Sequence, residues 1–578
     1  MKTSEEIRNL IIETVRRNGG HLASSLGAVE LAMSLAQSFD LKRDRVVWDV
    51  GHQAYAWKIL TGRDESFGTI RSFGGLSPFL DPKESSADAA VTGHAGSAFS
   101  VALGLAAARD QKGDDGHVVA VIGDASMANG HSFEAMNNCA TATRKMIVIL
   151  NDNGMSISGA VGSFSSYLAH LTAGVKYNRA KRAIKAAGRK LRLSFLYSPL
   201  HRIKSILKSL LLGDLWFEQF GFHYMGPVDG HNLEALSSAL AAAKSEDRPV
   251  LLHVVTKKGK GYAPAEEDPV RHHGVAPHFE EPSSDTRTWS DAFGAALLDL
   301  AREDKRIVAL TAGMKDGTGL SSFAKEFPDR FCDVGICEGH LLSFASGLAS
   351  GGLRPFVAVY STFLQRAVDQ VMHDICISKQ PVVICVDRAG IVGSDGVTHQ
   401  GLYDYAMLKS LPSLTIVQPK DEEDLKALLK EALLRDGPTV IRYPRGKAPS
   451  CVEIHKPSSS PRCAIWATGD CVAKAQAVAD ALGECEVVYA RTLKPFDSDL
   501  LARQRREGMA IISIENGALI GGFGETIGAD LRFGWPDSFI PHGTCGELEK
   551  KYGLDVDSIV AKTKEFLGNS SSVQRKEG

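Results

Sequence analysis

The sequence predicts three consecutive α/β domains with mostly parallel sheets, and three observations carry that prediction. Short apolar, β-branched runs of five to seven residues recur through almost all of the 578 residues, each followed by a helical-looking segment. Runs that stay apolar from end to end belong to strands buried on both faces. Two polar, Pro- and Ser-rich stretches, HFEEPSSDTRTW (278–289) and PRGKAPSCVEIHKPSSSPRC (444–463), read as linkers and divide the chain in three. The predicted domains are 1–283, 284–447 and 448–578, within the three or four that a prior of roughly 150 residues per domain allows.

Taken in order, MKTSEEIRNLIIETVRRNGG opens the chain as an amphipathic helix and not as a signal peptide. Acids interrupt its apolar positions, and Thr3 and Glu6 have capping-box spacing. The strands VVAVIG (118–123), MIVIL (146–150) and VLLHVVT (250–256) belong to the first domain. IVALT (307–311), FVAVY (356–360), VVICV (382–386) and LTIVQ (414–418) belong to the second. CAIWAT (463–468), CEVVYA (485–490) and MAIISIE (509–515) belong to the third. One stretch breaks the alternation. Residues 176–208 carry eleven Lys or Arg and no acid, inside a predicted basic insertion at about 160–212. It reads as a solvated insertion, against the alternative of a basic amphipathic helix on a polyanion or a membrane.

Composition excludes several functions. The 66 basic and 68 acidic side chains leave a net charge of -2, so nothing global advertises nucleic acid. No apolar run reaches the ~20 residues that span a bilayer, so a cytoplasmic protein with no membrane partner is expected. The ten cysteines include no C-x-x-C pair and are expected to be reduced thiols, in neither a disulfide framework nor a zinc site. The 56 glycines exceed the average share of ~7% and point to tight turns or close backbone approaches.

The most specific chemistry lies in GDASMANGHSFEAMNNCATATRKMIVILNDNGMSIS (123–158). An acid directly after one buried strand and Asn-Asp-Asn at the end of the next place oxygen ligands at adjacent carboxyl ends of a parallel sheet, where such sheets bind ligands. Oxygen-only ligands suit Mg²⁺, which takes its remaining ligands from phosphates and water.

This segment resembles the thiamin-diphosphate motif, a G-D-G opening closed about thirty residues later by N-D-N. VWDVGHQAYAWKILTGR (47–63), TKKGKGYAPAEEDP (256–269), YSTFLQRAVDQVMHD (360–374) and DRAGIVGSDGVTHQG (387–401) closely resemble the 1-deoxy-D-xylulose-5-phosphate synthase family. ENGALIGGFGETI and PDSFIPHGT in the third domain do so too. The resemblance implies a transketolase-like fold with diphosphate-binding, pyrimidine-binding and C-terminal domains in that order. It also implies a homodimer, with the cofactor between the first and second domains of one chain. The implied reaction joins pyruvate to D-glyceraldehyde 3-phosphate with loss of CO2. Its product enters isoprenoid synthesis and feeds thiamin and pyridoxal phosphate synthesis.

The same resemblance assigns residues. Asp124, Asn153 and the Met155 carbonyl are the implied Mg²⁺ ligands. His52, Gly93, His94, Ala95, Ala125, Ser126, Asn153 and Tyr262 line the thiamin diphosphate, with Gly93 and Gly96 opening backbone N–H groups to phosphate. Glu338 matches the glutamate on N1' of the aminopyrimidine, where a carboxyl group favours the imino tautomer that deprotonates the thiazolium; Phe363 matches the stacking ring. His21, His52, His273 and His399 match histidines facing the reacting centre, suited to proton transfer. Tyr360, Arg388, Asp395, His399 and Arg445 match the substrate site, where two arginines suit a phosphate.

Three positions depart from the family wording: Ala125 stands for the last glycine of G-D-G, Gly339 for the glutamine of E-Q-H, and Gly154 for a glutamate after N-D-N. Two competing readings follow. One is a transketolase-like carboligase with another donor or acceptor. The other is a catalytically weakened paralogue that binds cofactor or a partner.

Overall fold

The computed structural model describes residues 2–155, 162–172, 216–279, 287–456 and 460–574; the basic stretch 176–208 lies outside the described residues. The chain forms two compact units, Met1–Ile70 with Gly75–Pro282, and Arg71–Gly74 with Ser283–Gly578.

The first unit is built on a five-stranded parallel sheet. Its strands are β1 (Arg45–Trp48), β2 (Val118–Gly123), β3 (Ile147–Asp152), β4 (His223–Asp229) and β5 (Val250–Val255), in the spatial order β1-β2-β3-β5-β4. Alternate residues of one strand feed two different cores, which is why the strands are apolar throughout. Val119 and Val121 of β2 pack with Trp48, Trp57 and Leu31 on one face. Val118, Ala120 and Ile122 pack with Phe99, Met136 and Phe222 on the other. The opening helix Ser4–Asn18 carries the predicted capping box: Glu6 N donates to Thr3 Oγ1 at 3.2 Å, and Thr3 N to Glu6 Oε2 at 2.7 Å. Gly19 ends it at φ +70°, a left-handed conformation that favours glycine.

The second unit holds two sheets. Seven strands make the larger one: β6 (Ile307–Thr311), β7 (Phe331–Asp333), β8 (Arg354–Tyr360), β9 (Val383–Asp387), β10 (Thr415–Val417), β11 (Thr439–Arg442) and β14 (Thr492–Lys494), ordered β14-β10-β11-β9-β8-β6-β7. All pairs are parallel except β10 with β14. The smaller sheet is wholly parallel, β13-β12-β15-β16, from β12 (Cys463–Thr468), β13 (Cys485–Ala490), β15 (Ala510–Ala518) and β16 (Leu531–Trp535). Ala464 and Trp466 of β12 share a core with Val357 and Val359 of β8, so the two sheets are packed together.

Every strand read from the sequence is present. β1, β4, β7, β11, β14 and β16 escaped notice because each is short, or half-buried like β4, and so lacks a long apolar run. One expectation fails. Cys463 and Cys485 form a disulfide, 22 residues apart in sequence. They are direct register partners that open β12 and β13, a proximity created by strand pairing and invisible in cysteine spacing.

Candidate active site

In the first unit, the parallel register Gly123↔Asn151 sets the carboxyl ends of β2 and β3 side by side. Asp124 opens the short helix Asp124–Met127 directly after β2. Its Oδ1 accepts from Ala125 N at 3.0 Å and its Oδ2 from Met155 N at 3.1 Å; Met155 N also donates to Asn153 Oδ1 at 3.1 Å. The structure thus gathers Asp124, Asn153 and Met155 at one sheet edge. Burial, reinforced by the neighbouring Asp152 carboxylate, holds Asp124 well above the usual carboxylate range. Two acids forced together away from water favour a cation between or beside them. Among the described residues no group of three or more His, Cys, Asp or Glu could hold a metal. The set here is one carboxylate, one amide and one main-chain carbonyl, which fits an ion that keeps few protein ligands.

Four residues to which sequence reasoning assigned no role belong to the same edge. Asp152 Oδ2 meets Nε2 of the fully buried His253 at 2.8 Å. Lys258, three residues past β5, is buried, and burial lowers its ammonium to about 8 although Asp124 opposes the shift. Asp49, at the end of β1, accepts from Gly96 N at 2.9 Å and from Ala98 N at 3.2 Å. This last contact corrects an expectation: the Gly96 N–H is engaged by a carboxylate and so is not aimed at phosphate. Gly96 adopts φ +88°, and an added Cβ would lie 2.8 Å from Asn129, so glycine is required there. Lys258 and Asp49 stand inside the quoted motifs TKKGKGY and VWDVGHQ, and only their burial marks them.

The rings of His21, His52 and His273 form a triangle, with centroids 5.8 Å (21–52), 5.6 Å (21–273) and 5.4 Å (52–273) apart. Phe79 closes one side at 5.6 Å from His21, and Ser24 Oγ lies 3.3 Å from His273 Nδ1. Burial, with Lys258 and the other two imidazoles, pushes His273 well below the usual histidine range, so it is uncharged near neutral pH. Gly93, His94 and Ala95 precede the helix Ala98–Lys112, and Ser126 is buried beside Asp124. Tyr262 lies edge-on to His272, with centroids 6.0 Å apart. Ala125 sits inside its short helix and is not among the residues with positive φ, so alanine is accommodated there without strain. Gly154 does adopt φ +70°.

In the second unit, Glu338 opens the helix Glu338–Ser350, with its side chain 4% exposed. Its Oε2 accepts from Arg366 Nη1 at 2.9 Å. An added Cβ on Gly339 would meet Gln370 at an ordinary 3.5 Å, so glycine there opens space but answers no crowding. Phe363 stacks on Tyr360 at 5.6 Å and meets His399 edge-on at 5.6 Å. His399 Nδ1 lies 2.9 Å from Thr398 Oγ1. The Arg388 guanidinium covers the Tyr360 ring at 3.9 Å, a cation–π contact, from a residue held at φ +57°. Burial raises the Tyr360 hydroxyl to about 12. Asp395 bridges two arginines, accepting from Arg445 Nη1 at 2.9 Å and from Arg71 Nη2. Arg71, from the short segment Arg71–Gly74, carried no sequence signal at all.

The parallel α/β sheets, and these groups at their carboxyl edges, define a transketolase-like thiamin-diphosphate enzyme fold. Residues 1–256 match the family described as 1-deoxy-D-xylulose-5-phosphate synthase. Residues 285–450 match the transketolase pyrimidine-binding domain, and 452–559 the transketolase C-terminal domain. The chain is 44% identical over 588 residues to 1-deoxy-D-xylulose-5-phosphate synthase of Desulforudis audaxviator, covering 96% of this chain and 93% of that protein. It is 44% identical over 586 residues to the Clostridium kluyveri enzyme of the same name, covering 96% and 94%. A solved transketolase from Campylobacter jejuni aligns at 19% identity with a TM-score of 0.46, covering 97% of this chain and 98% of that one. The chain belongs to the 1-deoxy-D-xylulose-5-phosphate synthase family and is a transferase.

Proposed function

We infer that this protein forms 1-deoxy-D-xylulose 5-phosphate from pyruvate and D-glyceraldehyde 3-phosphate. The C1–C2 bond of pyruvate breaks, C1 leaves as CO2, and C2 bonds to the aldehyde carbon of the second substrate. The observation that carries this reading is 44% identity to named synthases over 96% of the chain. The product would serve isoprenoid, thiamin and pyridoxal phosphate synthesis. We propose the domain division 1–283, 284–447 and 448–578, supported by the three sheets and the three matched families.

Thiamin diphosphate, when bound, supplies the electron sink that makes loss of CO2 feasible. Asp124, Asn153 and the Met155 carbonyl would hold Mg²⁺, and the buried Lys258 together with Gly93, His94, Ala95, Ala125, Ser126 and Tyr262 would face the diphosphate. Glu338 would hold the aminopyrimidine by N1', and Phe363 would stack on it. His273, uncharged at neutral pH, can accept a proton from a substrate hydroxyl and return it, with His21 and His52 beside it and His399 in the same role. Arg388 and Arg445 would take the aldehyde's phosphate, with Tyr360 and Asp395 fixing their positions. We propose a cytoplasmic homodimer. Among the described residues no helix is long and apolar enough to cross a membrane.

The test is CO2 release by purified protein with Mg²⁺, thiamin diphosphate, pyruvate and glyceraldehyde 3-phosphate. Turnover that needs both substrates is expected. Turnover with ketose donors only would assign a transketolase-like carboligase instead, and cofactor binding with no turnover would assign a weakened paralogue.

A further inference from the structure

We propose that Arg366 is a positioning residue that holds the Glu338 carboxylate by one oxygen and presents the other to the bound cofactor; this rests on the reading of Glu338 as the aminopyrimidine glutamate. Four observations carry it. The pair is sequestered, with the Glu338 side chain 4% exposed and that of Arg366 21% exposed, joined at 2.9 Å. In such surroundings a charge-assisted bond is strong and its direction matters. The contact is one-sided: Arg366 engages Oε2, and Oε1 accepts no hydrogen bond from the described residues. Oε1 is not among the buried oxygens left without a partner, so it remains accessible to a ligand.

The third observation is where Arg366 stands. It lies in the tight turn Gln365–Ala367, immediately after the short helix Ser361–Leu364 that carries Phe363. Residues three apart on successive helical turns share a face, so Phe363 and Arg366 project to the same side. Leu364 and Ala367, which flank the arginine, are fully buried and anchor the turn. One rigid turn therefore sets both the ring that would stack and the cation that aims the carboxylate. Fourth, Glu338 is the first residue of a thirteen-residue helix, which fixes the backbone that carries it. Arg366 thus holds the Glu338 carboxylate in one orientation before any ligand arrives. A planar guanidinium fixes that orientation better than an ammonium could.

The experiment is a double-mutant cycle on the full-length protein with Arg366→Gln, Glu338→Gln and the double variant, plus Arg366→Lys. Thiamin diphosphate affinity is read from tryptophan fluorescence in the presence of Mg²⁺, turnover at saturating cofactor, and folding by thermal unfolding. Arg366→Gln should weaken cofactor binding and kcat by about tenfold to a hundredfold, with both substrate KM values nearly unchanged. Arg366→Lys should restore part of the loss. In the Glu338→Gln background, Arg366→Gln should add almost nothing, because the two act as one unit. Additive losses, or full affinity and kcat in Arg366→Gln, would overturn the role of Arg366 alone. Wild-type behaviour of Glu338→Gln would remove the glutamate reading and this role with it. Should Arg366→Gln not fold, Arg366→Met keeps the aliphatic packing and enters the same cycle with the same criteria.

Discussion

The histidine triangle of the first unit and the arginine cluster of the second are both partly buried groups of ionisable side chains, yet they solve burial in opposite ways. His273 stays uncharged because desolvation and two neighbouring imidazoles disfavour a proton. The second cluster keeps its charges and compensates each one: Asp395 answers Arg445 and Arg71, and the Tyr360 face answers Arg388. A neutral imidazole can take up and give back a proton, which a guanidinium cannot. A fixed cation holds a phosphate that an imidazole would hold weakly. Under the proposed function the difference would separate proton handling from anion holding, and it can be broken by experiment.

The largest effect is expected from His273→Asn, which should lower kcat by about 10²- to 10⁴-fold while the KM for the phosphorylated aldehyde stays within a few-fold. A change confined to KM would place His273 with the arginines instead. Next, Arg445→Met should raise the KM for glyceraldehyde 3-phosphate by about tenfold to a hundredfold and leave that for pyruvate alone, consistent with one charge-assisted bond. Equal change for both substrates would show that Arg445 acts through general packing and not through the phosphate.

Much of this was legible in the sequence. The fold followed from strands such as β2 and β12, whose unbroken apolar runs announce two buried faces. The sheet edge that gathers Asp124 and Asn153 followed from acid and amide residues placed directly after two such strands. What escaped depends on pairing across the fold. Lys258 and Arg366 stand inside recognised motifs, but their burial is a property of packing. Arg71 reaches Asp395 from 324 residues away, and no local pattern encodes that. Cys463 and Cys485 became partners only through the register of β12 and β13. The departure at Ala125 turned on a backbone angle, and the short helix that begins at Asp124 supplies one that alanine tolerates.

The smallest effect offers the sharpest contrast, because the two regions should titrate with opposite slopes. Asp387, which ends β9 just before Arg388, is fully buried, and burial raises it to about 6 against the pull of Arg388 and the Ser290 hydroxyl. Between about pH 4, where an unfolded aspartate titrates, and pH 6, the folded protein holds a proton that the unfolded chain has released. Stability contributed by Asp387 is thus present at low pH and lost as pH rises through that window. Asp387→Asn cannot titrate, so its melting temperature should gain on the wild type between pH 4 and 7, by about 1 °C for a chain of this length if the difference approaches 1 kcal/mol. His273 is depressed, so below about pH 6.5 the unfolded chain takes up a proton that the folded protein refuses. Its contribution is lost as pH falls, and His273→Asn should gain on the wild type in the acid direction. Both slopes share one cause, burial disfavouring the charged form of an acid and of a base; a flat difference for either variant would mean that burial does not perturb that group.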